Sequence, residues 1–117
     1  MPVTIYHNPR CSKSRQTLQL LHDNNIEPIV IEYLKTPPSK SELKRVLTML
    51  NMKPRDILRT KEAEYKQYGL DDTLLSDDQI ISIMLKHPKL IERPIVVTEN
   101  RAALGRPPEN ILEVISD

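Results

Sequence analysis

The 117 residues match the length of one domain and are enough to bury a core. Seventeen basic and sixteen acidic residues leave a net charge of +1, which argues against a broad field for nucleic acid or anionic lipid and leaves only locally matched sites. No apolar run reaches 18 residues and no basic-then-apolar leader precedes the first strand-like stretch, so neither a membrane span nor a secretory signal is expected and a cytoplasmic location is.

Val3 and Ile5 alternate with Thr4 and Tyr6, which predicts a strand over residues 3–7. Thr17, Leu18 and Leu21 then fall at helical spacing between Ser12 and the Asn24-Asn25 stop. Pro28 to Tyr33 is apolar and β-branched, a second strand, so the opening third reads as a βαβ unit with Cys11 at its first strand-to-helix turn. Carboxyl ends of strands are where open α/β sheets bind ligands.

From about 36 to 91 the texture is helical. Ser39-Lys40-Ser41-Glu42 predicts a capping box ahead of Leu43, Val46, Leu47 and Leu50. Pro54 starts a short helix carrying Ile57, Leu58 and Arg59, and a third helix runs from about 61 to 68, with Gly69 as its stop. Ser76-Asp77-Asp78-Gln79 is a second capping box, and its helix breaks at His87-Pro88. The strand pattern returns at Pro94–Thr98, turns at Glu99-Asn100-Arg101 and pairs with Ala102–Leu104; Pro107-Pro108-Glu109 then opens a last helix with Ile111, Leu112, Val114 and Ile115 as its apolar side. The fold expected is α/β: one domain over 1–117, a small mixed sheet with flanking helices and a helical insertion between the second and third strands.

The candidate site centres on Cys11, the sole cysteine, which cannot form an internal disulfide. A helix N-terminus with Arg10 and Arg15 within a turn favours the thiolate, the nucleophilic form. Cys11-Ser12-Lys13-Ser14 is a dithiol C-x-x-C spacing with a serine in place of the second sulfur: Ser14 can donate to the thiolate but cannot resolve a disulfide. Arg93 and Arg106 each precede a proline where chain ends of the sheet gather, and Arg59 can reach in from the insertion; guanidinium forks match oxyanions bidentately. Taken singly, the cysteine also reads as a small buried hydrophobe and each arginine as a surface ion-pair residue; together they read as an oxyanion site. His7 reads either as a strand-end histidine or as an orienting group near the thiol. His22 and His87 add no metal-ligand spacing, so no metal is expected. The phosphatase pattern C-x5-R is excluded because Thr17 stands six residues after Cys11, and two isolated glycines supply no nucleotide loop.

His7-Asn8-Pro9-Arg10-Cys11 with Ser14-Arg15, then Leu58-Arg59, Glu92-Arg93-Pro94-Ile95-Val96-Val97 and Gly105-Arg106-Pro107, resemble the glutaredoxin-coupled arsenate reductase family of the ArsC type, and most closely its shorter YfgD-like branch. The resemblance spans nearly the whole chain. It implies a thioredoxin-like fold, a cis Arg93-Pro94 peptide, Cys11 as nucleophile with His7 beside it, Arg59, Arg93 and Arg106 as oxyanion ligands, and supporting roles for Ser14, Arg15 and Pro94. It implies arsenate as substrate, glutathione as co-substrate and glutaredoxin as partner; a monomer with no bound cofactor is expected. Two other readings share this fold: a monothiol glutaredoxin-like carrier, which needs Cys11 but not three arginines, and a stress regulator that binds RNA polymerase, which typically carries the second cysteine absent here.

Overall fold

In the computed structural model, which describes residues 2–115, the opening alternation forms strand β1 (Thr4–His7) and the helical periodicity after it forms α1 (Ser12–Asp23). The Asn24-Asn25 stop works through backbone geometry. Asn25 takes the left-handed conformation at φ +62°, its N–H reaches the His22 carbonyl, and the Ile26 N–H reaches Leu21 at 3.0 Å, so the Leu21 and His22 carbonyls near the end of α1 are satisfied. Ile26 then packs onto the core beside Leu21.

Strand β2 (Ile29–Glu32) lies parallel to β1, with Thr4 opposite Ile29 and His7 opposite Glu32. A parallel pair needs a crossover, and α1 is that crossover. Strand β3 (Ile95–Val97) runs antiparallel to β1 with Ile5 opposite Val96, and β4 (Ala102–Leu104) runs antiparallel to β3. The order is β2-β1-β3-β4. Central β1 and β3 are buried on both faces at Ile5, Tyr6, His7, Ile95, Val96 and Val97, whereas edge β2 leaves Ile29 58% and Val30 44% exposed. One face of the sheet, Val3, Ile5 and Val96, closes on Leu21, Ile111 and Val114. Each fully buried aliphatic side chain there contributes about 1.5–3 kcal/mol.

The last helix departs from the expectation at its start. Proline 108 has no N–H to give, and Asn110 N–H bonds back to Pro107 only three residues away, so Pro108–Ile111 is one 3-10 turn before the short α5 (Leu112–Ile115). The β-α-β then β-β-α order around this mixed sheet is the thioredoxin-like arrangement.

By its internal contacts the chain divides in two: the sheet-bearing unit runs to Thr36 and resumes at Arg93, and the insertion is Pro37–Glu92. Within the insertion, α2 (Lys40–Leu50) is capped by Ser39, whose hydroxyl accepts from the Glu42 N–H, and it buries Leu43, Val46 and Leu47. Helix α4 (Asp77–Lys86) has the full reciprocal box, with the Ser76 hydroxyl accepting from Gln79 N–H and the Gln79 side chain accepting from Ser76 N–H. It buries Ile80, Ile81 and Met84 and stops before Pro88.

Between them the helices are shorter than their sequence pattern suggests. From Pro54 only a 3-10 turn forms, ending at Ile57, because Leu58 goes extended and pairs with Ile91: Arg59 N–H bonds the Leu90 carbonyl and Glu92 N–H bonds Ile57, both at 2.8 Å. Arg59 therefore stands after a bridge pair rather than at a helix end. Helix α3 spans Ala63–Gln67 in place of 61–68, with Gly69 (φ +67°) ending it. Among the described residues no helix is long and apolar enough to cross a membrane.

Candidate active site

Cys11 caps the N-terminus of α1 in an extended conformation, so the unpaired N–H groups and positive dipole end of a 12-residue helix begin at the thiol. The residue is buried, 8% exposed, and free of any disulfide. Its own N–H bonds the Asn8 carbonyl at 3.0 Å, and its carbonyl receives Arg15 N–H at 3.0 Å, so the backbone on both sides of the sulfur is held.

The loop before it is tied inward by side chains. Asn8 Oδ1 accepts from Arg10 N–H, Asn8 N–H donates to Ser14 Oγ, and Arg15 NH1 donates to the Pro9 carbonyl at 2.9 Å. Ser14, completely buried, lies with its Oγ 2.6 Å from His7 Nδ1. Ser14 is able to donate to a thiolate, but here its hydroxyl meets His7 and the Asn8 N–H. His7 is drawn below the usual histidine range, chiefly because burial removes water from the ring; Glu32 opposes this and Arg15 adds to it. The neutral ring and the hydroxyl share one proton across their contact. Whichever group donates decides whether the Ser14 proton points at His7 or is free for another acceptor.

An arginine that reaches the sulfur comes from the far end of the chain. Arg106 NH2 donates to Cys11 Sγ at 3.5 Å, and its Nε donates to the Arg93 carbonyl at 2.7 Å. Asn110 Nδ2 holds the Arg106 carbonyl at 3.0 Å. One of the contacts that orient the guanidinium is thus a neutral carbonyl. Arg93-Pro94 is cis, as the resemblance implies, and so is Arg106-Pro107, which the sequence reading did not foresee. Pro94 sits behind the pair, its carbonyl accepting from Gly105 N–H at 2.9 Å.

Arg59 has a different setting within the insertion. Its NH1 donates to Glu92 Oε1 at 3.0 Å, while Nε and NH2 both reach Glu62 Oε2 at 3.3 Å. Its side chain is 20% exposed and those of the two carboxylates 29% and 28%, so this is a half-buried cluster rather than a surface pair. The sheet unit therefore links His7, Cys11, Ser14, Arg15, Pro94, Arg106 and the Arg93 carbonyl through these contacts. Residue type and spacing do not reveal every contributor. Asn8 stands inside the motif but signals nothing by residue type, and the Arg93 carbonyl is a backbone group.

The chain matches the family model of the ArsC family over residues 6–114. It is 50% identical to the YfgD protein of Escherichia coli (strain K12), over 97% of this chain and 96% of that protein. It is 43% identical to an arsenate reductase of Rhizobium meliloti (strain 1021), over 100% of this chain and 84% of that one. Among solved structures, the arsenate reductase from Vibrio cholerae superposes with a TM-score of 0.95 at 53% identity and covers 98% of each chain.

Proposed function

We propose, from the premise that this chain belongs to the ArsC family, that it is a cytoplasmic arsenate reductase with Cys11 as its nucleophile. The observation that carries the reading is the Arg106 guanidinium, clamped at Nε by the Arg93 carbonyl and aimed by NH2 at Cys11 Sγ. An oxyanion brought to that sulfur meets a preoriented donor where charge develops. Arg93 and Arg106 hold the arsenate oxygens. The family resemblance adds Arg59, which exchanges its Glu62 and Glu92 contacts for the anion.

The Cys11 thiolate attacks arsenic, an As–S bond forms and water leaves. The chain has one cysteine, so the second thiol comes from outside. Glutathione attacks the adduct; its sulfur and that of Cys11 supply the two electrons that take As(V) to As(III). Arsenite departs and a Cys11–glutathione disulfide remains, which glutaredoxin clears. The absent resolving cysteine, with Ser14 in its place, supports this order of events.

The test is turnover with defined reductants. Arsenite formation is expected with glutathione and glutaredoxin together, and a single turnover at most with either left out. Sustained turnover on thioredoxin alone refutes the scheme.

A further inference from the structure

Gly105 is one of two glycines in the chain and directly precedes Arg106. Among the described residues the only glycine with positive φ is Gly69, so backbone conformation is not what keeps a side chain away from 105. Space is. A Cβ at Gly105 would overlap Thr17 Oγ1, and would stand 2.7 Å from Pro94 Cγ and 3.0 Å from Thr17 Cγ2. Thr17 is completely buried. Its one hydroxyl proton goes to the Lys13 carbonyl at 2.8 Å, with only a weak branch to the Gly105 carbonyl at 3.4 Å, so its main business with Gly105 is steric.

Thr17 and Cys11 belong to the same helical frame, six residues apart, about 9 Å along the axis. On the other side, Gly105 is tied to Pro94 and Arg106 to Arg93, two consecutive residues. The turn carrying Arg106 is thereby wedged between α1 and the Arg93-Pro94 step, and the face of Thr17 sets how closely it seats. The Arg106 NH2 to Sγ distance of 3.5 Å has little slack. We infer that Thr17 and Gly105 are positioning residues: the close seating of the Thr17 side chain on the bare Cα of Gly105 gauges the reach of the Arg106 guanidinium to the Cys11 sulfur. Its consequence for arsenate rests on the reading above; its consequence for the thiol does not.

The experiment follows iodoacetamide alkylation of Cys11 across pH, with and without sulfate, in variants whose folding is checked by circular dichroism. Arg106→Ala sets the ceiling, a displacement of the profile to higher pH equivalent to at least about 10-fold slower reaction near neutrality, as expected when a charged hydrogen-bond partner is lost. Gly105→Ala is expected to shift the profile the same way by a fraction of that ceiling. Thr17→Ala combined with Gly105→Ala removes two of the three clashes and is expected to return the profile toward wild type. A folded Gly105→Ala protein with the wild-type profile overturns the inference, as does a double variant no nearer to wild type than Gly105→Ala, or an unchanged profile in Arg106→Ala. If Gly105→Ala does not fold, Thr17→Ile, which adds bulk on the same side and leaves residue 105 alone, gives the second reading: a shift to higher pH supports the gauge and a wild-type profile overturns it. Should sulfate leave wild-type alkylation unchanged while these shifts appear, the anion site falls and the gauge stands.

Discussion

Of the candidate oxyanion ligands, Arg59 in the insertion and Arg106 in the sheet-bearing unit are oriented by partners of different kinds. Arg59 lies between two carboxylates, Glu62 and Glu92. Arg106 is held by a backbone carbonyl and points at a sulfur. A carboxylate fixes a guanidinium by neutralising it, and the pair gains in geometry what it loses as an anion receptor. A carbonyl fixes the same group without itself neutralising it. The difference teaches that residue type alone does not define an oxyanion site; the partner that does the orienting decides what the arginine can still bind.

The comparison breaks most completely at the sulfur. Cys11→Ser is expected to reduce arsenite formation to background in a coupled assay with glutathione and glutaredoxin, with the insertion's unfolding behaviour unchanged; measurable turnover would remove the nucleophile from the scheme.

Next in size is the contrast between the two arginines. Arg106→Ala is expected to weaken arsenate binding by roughly 10- to 150-fold in isothermal titration, the range for a lost charge-assisted partner. Arg59→Ala is expected to weaken it less, because binding through Arg59 first gives up two carboxylate contacts. The order reverses for stability: Arg59→Ala removes the guanidinium shared by two half-buried carboxylates and is expected to cost about 1–3 kcal/mol in urea unfolding, more than Arg106→Ala. Equal losses of affinity and stability in both variants contradict the distinction.

Glu62→Gln with Glu92→Gln sharpens it further. Removing both carboxylate charges is expected to raise arsenate affinity a few-fold through Arg59, and this gain should vanish when Arg59→Ala is added. A gain that persists without Arg59 reflects general charge, not recruitment.

The smallest effect concerns His7. Its folded-state affinity for protons is lowered, so the unfolded chain binds the proton more readily; the stability tied to neutral His7 is fully present above its ordinary value of 6.5 and is lost as pH falls from there through the depressed folded value. Urea midpoints of wild type should therefore decline through that acid window, and His7→Asn should decline less. Parallel profiles contradict a neutral, desolvated ring.

Much of this was legible in residue order because the signals are local. The β1-turn-α1 opening, the Asn24-Asn25 stop, the Ser76 capping box and the placing of Cys11 at a helix start depend on neighbours within a turn or two, and periodicity, caps and left-handed asparagines act at that range. Local pattern overreached where a long-range bridge competed: Leu58 left its helix for Ile91, and α3 shrank to five residues beside it.

What the sequence by itself determined, then, was the strand–turn–helix that presents a lone thiol, the helical insertion, and the set of candidate side chains. Only the tertiary structure decided their partners: Ser14 with His7 rather than the sulfur, Arg59 with a glutamate 33 residues away, and Arg106 on a carbonyl 13 residues back and on a thiol 95 residues back. The physical reason is range. A helix or cap is chosen by interactions among residues a few positions apart, whereas these contacts exist only after the sheet has ordered its strands and brought distant backbone within hydrogen-bond reach, and no periodicity along the chain encodes which carbonyl will lie there.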